Sequence, residues 1–226
     1  MAKRIRSQDG ESRRKEWREG DLIKTFKLNR IVTYQTPLMD EWLDVQMPEL
    51  NVGEQYNFDE DLTNAQKHIA GWNEEDLKMK FISTILKLGH LRDGDTVMGY
   101  FDKIISATVE DIKLTVKSDF MLATGILDVF ETPYFHFQEY KPYKNPSGDS
   151  MAQLLEAFLI AQEKNKNGKP LYGADIMGGN WRFVVMEGKD YCISKAFDSV
   201  DKTDLLTIIA VLRKFKYILE TRLLDA

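Results

Sequence analysis

Asp119, Glu139 and Lys141 are the residues of this chain whose types and spacing could do chemistry. They lie in the stretch from Ser118 to Lys141, SDFMLATGILDVFETPYFHFQEYK. Two runs rich in aromatic, β-branched and other apolar residues flank a break at Glu131, Thr132 and Pro133, the pattern of a β-hairpin with a longer loop. With the fold-back centred near Val129, residues whose numbers add to about 258 lie opposite each other, and Asp119 with Glu139 meets that sum. Side chains alternate faces along a strand, so Lys141 shares the face of Glu139 while His136, Gln138 and Tyr140 point away. Two carboxylates offer hard oxygen ligands to a divalent cation such as Mg²⁺ or Mn²⁺, which keeps several waters and completes its shell with phosphate oxygens. An adjacent ammonium can orient a metal-bound water and offset charge that builds on a phosphate. Such a set suits phosphodiester hydrolysis. Asp128 is a rival ligand, but it falls beside the expected turn, about 36 Å along the strand from Glu139 at about 3.3 Å per residue, and ranks below Asp119. An acid at a strand start and a Glu-x-Lys are also ordinary solvated positions on an amphipathic sheet. Met121, Leu122, Phe135 and Phe137 argue instead for a buried hairpin, in which charges need partners.

The elements that must position these groups follow from periodicity and caps. Residues from Asp21 to Ile31 have helical spacing after an N-cap at Asp21, and Thr33 to Thr63, with Pro37, Pro48 and Gly53, reads as irregular with one helical turn near Asp40 to Val45. Asn73 caps a firmer helix, with Glu74, Glu75 and Asp76 at its start, Leu77, Phe81, Ile85 and Leu88 on one face, and Gly89 as its stop. Thr96 to Thr108 reads as a strand, and Asp111 to Val116 as another that continues into the hairpin. A Pro-, Gly- and Ser-rich loop then leads to a helix from Ser150 to Asn165. Lys169 to Met186 forms two strands about Gly178-Gly179-Asn180, Tyr191 to Lys195 a further strand, and Asp201 or Thr203 caps a last amphipathic helix.

Ser118-Asp119 followed by Glu139-Tyr140-Lys141 resembles the signature of the PD-(D/E)XK superfamily of nucleases and restriction-endonuclease-like domains, with Ser118 in place of the family's Pro. The stretch NEEDLKMKFISTILKLGHL resembles the superfamily's opening helix, where an acid of the first turn joins the active site. Glu74 is the better match by its position relative to Leu77, and Glu75 the next. Gln153, in DSMAQLLEAFLIAQ, matches a Gln that completes the motif set in several nuclease branches. The resemblance spans roughly Asn73 to Met186 and implies a Mg²⁺- or Mn²⁺-dependent deoxyribonuclease related to bacterial restriction or repair enzymes. In it Asp119, Glu139 and Glu74 serve the metal, Lys141 the attacking water, and Gln153 orients Lys141 or the substrate.

Composition limits the other classes. The expected fold is α+β, a central mixed sheet flanked by helices with a restriction-endonuclease-like core at 65–226. It is preceded by a basic, flexible segment at 1–20 and an accessory helix-and-loop segment at 21–64. Seven basic against four acidic side chains fill residues 1–20, although the chain as a whole carries −5. A local basic patch can still hold phosphate on an acidic protein. Cys192 is the only cysteine, which excludes an intramolecular disulfide and zinc-finger spacing. His68, His90 and His136 are scattered, and there is no Walker loop or nucleophile elbow. No apolar run suits a membrane span or signal peptide, so a cytoplasmic protein acting on DNA is expected, with homodimerisation and protein partners left open. Two alternatives stand beside the nuclease. One is a binding or scaffold protein that keeps the fold without metal chemistry. The other is an unrelated α+β protein, which would place Asp119 and Glu139 on opposite faces.

Overall fold

The register of three long antiparallel strands decides where the acids lie. They are β2 (Val97–Val109), β3 (Ile112–Ile126) and β4 (Val129–Lys141). The computed structural model describes residues 16–224 apart from 93, 95, 128 and 145, so Asp128 and most of the basic segment at 1–20 lie outside the described residues. β3 and β4 pair from Ile126 with Val129 to Phe120 with Gln138. The expected break at Glu131, Thr132 and Pro133 is therefore no loop: the chain turns between Ile126 and Val129, and these residues belong to β4. Proline cannot donate to a sheet ladder, so the strand absorbs Pro133 as a bulge. Thr124 Oγ1 fastens the bulge by donating to the carbonyls of Glu131 and Thr132, at 3.1 and 2.9 Å. From the Ile126 and Val129 pair to the Leu122 and His136 pair the register takes four steps on β3 and seven on β4. That slippage restores the sum of 258 at the deep end, as in the pair Met121 with Phe137.

Beyond β4 the sheet continues through β5 (Leu171–Met177), β6 (Asn180–Glu187), β7 (Asp190–Asp198) and the short β1 (Asn29–Ile31). The seven strands lie in the order β1-β7-β6-β5-β4-β3-β2, with β4/β5 and β1/β7 parallel and the other neighbours antiparallel. A parallel step needs a crossover. Here α6 (Ser150–Asn165) supplies it and covers one face with Leu154, Leu155 and Phe158. Gly173 lets it sit close: a Cβ there would lie 2.6 Å from the Phe137 carbonyl and 2.9 Å from the Phe158 ring. α1 (Glu19–Phe26) adds Leu22 and Phe26 to this layer.

The opposite face carries α7 (Lys202–Ile218), α2 (Pro37–Leu43), α3 (Val52–His68) and a helical run made of α4 (Glu74–Leu77), a π-helical turn at Lys78–Ile82 and α5 (Ser83–Leu88). The molecule is thus α+β, a mixed sheet flanked by helices. No helix among the described residues is long and apolar enough to cross a membrane. Two local expectations differ from the structure. The helix expected from Asp21 to Ile31 starts at Glu19 and stops at Lys27, whose left-handed φ of 54° frees Asn29–Ile31 to pair with β7. The segment expected to be irregular holds α2 and the 17-residue α3, which opens with a capping box between Asn51 and Glu54.

Trp42 of α2 ties these helices to the sheet. Its indole is fully buried among Tyr172, Phe183 and Phe215, and its N–H donates to the Val211 carbonyl at 2.9 Å. Replacing Trp42 by Ala is expected to destabilise the fold by about 3–5 kcal/mol, read as a lower urea midpoint with unchanged slope. A shift below about 1 kcal/mol would show that α2 is not an integral part of the core.

Candidate active site

The candidate site lies where two strands part company. β3 stays paired with β2 down to Ile112, but its pairing with β4 ends at Phe120 and Gln138. The amide of Tyr140, two residues deeper than Gln138, lies beyond the last β3–β4 pair. Asp119 Oδ2 accepts that N–H instead, at 2.8 Å. This bond draws the Asp119 side chain toward β4, beside Glu139, whose side chain is completely buried. Alternation along β4 sets Glu139 and Lys141 on the α6 face, where Phe137 meets Phe158. His136, Gln138 and Tyr140 fall on the α7 face.

Burial dominates the electrostatics. Glu139 is pushed well above the ordinary carboxylate range, first by desolvation and then by the Asp119 charge, with Lys141 opposing. Desolvation also raises Asp119, against the Tyr140 N–H and the Lys141 charge. Neither carboxylate oxygen of Glu139 has a hydrogen-bond partner. Ser118 lies beside it, but its hydroxyl donates to the Phe120 carbonyl at 3.0 Å, and an ionised Asp119 has nothing to donate. Two orphaned, buried acceptors next to a second carboxylate are a fit for a cation or for a shared proton.

Lys141 is nearly buried, and its ammonium lies 3.6 Å from Glu74. Asn73 caps the start of α4 by accepting from the Asp76 amide at 2.7 Å, which presents Glu74 to the end of β4. Glu75 is turned to the neighbouring Lys78, at 3.8 Å, and is well exposed. Gln153 stands in the first turn of α6, a helix that Asp149 caps by accepting from Ala152 N at 3.0 Å. Its Oε1 is buried without a partner. A cleft of about 740 Å³ opens here, lined by Trp17, Lys117, Lys141, Gly148, Gln153 and Glu156. The arrangement therefore gathers Asp119 and Glu139 as a pair, Lys141 beside them, Glu74 on Lys141, and Gln153 on the same cleft. Glu74 engages Lys141, and among the described residues there is no group of three or more Asp, Glu, His or Cys side chains that could hold a metal ion.

Residues absent from the sequence reading also belong here. Asp102 lies between the β2–β3 pairs Phe101 with Phe120 and Lys103 with Ser118, directly across from Asp119, with a left-handed φ of 56°. Lys78, buried at the start of the π-helical turn, places Nζ 3.0 Å from each Asp102 oxygen, and Lys117 approaches the same carboxylate at 2.7 Å. In the next strand Asp175 sits in register with Glu139; Arg182 engages its Oδ2, while its Oδ1 is buried without a hydrogen-bond partner. No short motif announces a contact between residues so far apart in the chain; π-helical turns do recur at functional sites.

The raised Glu139 carboxyl gives a signed pH effect. Its pKa in the fold exceeds the ordinary 4.5, so the stabilisation tied to the protonated form is complete below about pH 4.5 and is lost as pH rises through the raised value. In metal-free buffer, Glu139→Gln is expected to be more stable than wild type at pH 8, with the gain vanishing near pH 4. Urea midpoints across that range check this, and a gain independent of pH would contradict it. No protein-family model matches the chain, and neither a curated protein nor a solved structure does.

Proposed function

We propose that this chain is a Mg²⁺- or Mn²⁺-dependent nuclease that hydrolyses phosphodiester bonds of DNA. The observation that carries the proposal is the carboxylate pair of Asp119 and Glu139, buried together with orphaned Glu139 oxygens and with Lys141 on the same face. Its order along the chain agrees with the resemblance to PD-(D/E)XK nucleases. An acid-tipped helix, an Asp-bearing strand, a Glu-x-Lys strand and a Gln-bearing helix follow one another. A Mg²⁺ site that uses two carboxylates and otherwise water and phosphate oxygens is an ordinary one.

In this reading Asp119 and Glu139 hold the cation, which when bound would neutralise phosphate charge and acidify a water. Lys141 orients the attacking water and offsets the charge that grows on the phosphate. Glu74, 3.6 Å from the Lys141 ammonium, keeps it aimed. The unpartnered Oε1 of Gln153 accepts a hydrogen bond from Lys141 or from a substrate-bound water in the cleft.

With Mn²⁺ and duplex DNA, the wild-type chain is expected to cleave, and Lys141→Ala and Asp119→Ala to lose on the order of 10²–10⁴ in rate while remaining folded. Independently of cleavage, Mg²⁺ should raise the melting temperature of wild type, more at pH 8 than at pH 5 because protons compete for the pair, and should leave Glu139→Gln unmoved. A wild-type chain that neither cleaves nor responds to Mg²⁺ or Mn²⁺ would instead be the scaffold, with the pair sharing a proton.

A further inference from the structure

Lys117 and Lys141 both line the cleft beside the carboxylate pair, but they are held differently. Lys141 is buried near the pair and engaged by Glu74. Lys117 stands two residues before Asp119, on the stretch of β3 that has already left β4, and its side chain is 51% exposed. Its ammonium is tethered by Asp102 at 2.7 Å, and Asp102 is itself gripped through both oxygens by the buried Lys78. Asp102 is thus not a free acid of the site. Lys78 neutralises it, and Lys117 is left as a positive charge fixed at the rim. An ammonium carries three donors, of which this tether needs one.

A polyanion entering this cleft passes the acids Glu16, Asp149 and Glu156 on its walls. A cation held at the rim is what makes that approach favourable. Two residues of strand set Lys117 about 7 Å from Asp119 along the backbone, of the order of the spacing between neighbouring phosphates of one strand.

We infer that Lys117 binds the backbone phosphate next to the one attacked at the carboxylate pair, so that the substrate is a nucleic-acid strand with at least two consecutive phosphates rather than a mononucleotide. The inference rests on the nuclease reading and sharpens its substrate class. The test is fluorescence anisotropy of a labelled 20-base-pair duplex, with Ca²⁺ as the cation, over a series of salt concentrations. For the full chain, Lys117→Ala should lower the slope of log affinity against log salt by about one. Lys117→Arg should keep the wild-type slope. Lys164→Ala, exposed near the far end of α6 and about 16 Å along the helix from Gln153, should match wild type. An unchanged slope in Lys117→Ala, from a wild-type chain that binds DNA and cleaves it with Mn²⁺, overturns the role of Lys117 and leaves the nuclease reading standing. A wild-type chain that binds no DNA overturns both.

Discussion

The hydrogen bond from the Tyr140 amide to Asp119 is the interaction on which the rest of this site depends. A buried backbone N–H must find an acceptor, and at Tyr140 the neighbouring strand has already turned away. By supplying the missing acceptor from its side chain, Asp119 ends the β3–β4 ladder without an orphaned amide and is fixed in place by the sheet itself. The same bond holds one carboxylate against another, the fully buried Glu139. Desolvation and mutual repulsion then leave the pair poorly neutralised, since Lys141 only partly opposes them. A carboxyl pushed this far toward its protonated form makes the fold gain stability from a proton.

β4 separates this unsettled region from a sealed one. On its other face Tyr140 donates to Gln138 at 3.0 Å, and Gln138 meets His136 at 3.0 Å. Burial drives the His136 pKa down to about 3, so this chain of groups is neutral under physiological conditions. Aromatic rings of Trp42 and Phe215 close over His136. One strand therefore places charge on the α6 side and an uncharged, ring-packed layer on the α7 side. The rigidity of the second face limits how far the carboxylates of the first can relax away from each other.

The lysine and aspartate cluster around Asp102 extends the same logic along β2 and β3. A carboxylate in a left-handed residue of a strand is costly to keep near Asp119 unless cations hold it, and Lys78 and Lys117 both do so. Lys78 stands at the first residue of the π-helical turn.

The amino-acid sequence by itself determined what depends on neighbours along the chain. Asn73, Asp149 and Asp201 cap their helices by local hydrogen bonds. Alternation along Phe137, Glu139 and Lys141 assigned the faces of β4, whereas the prolines and glycine of 33–63 suggested an irregular segment and masked the helix that Asn51 and Glu54 open with a capping box. The turn between Ile126 and Val129, the bulge that restores the register, the parting of β3 from β4 and the Asp102 cluster were decided only by tertiary structure. Each of these depends on which strand or helix lies across from a residue. Pairing partners are set by the packing of whole layers, and a one-residue slip in register leaves the local sequence signals untouched while moving every side chain to the other face.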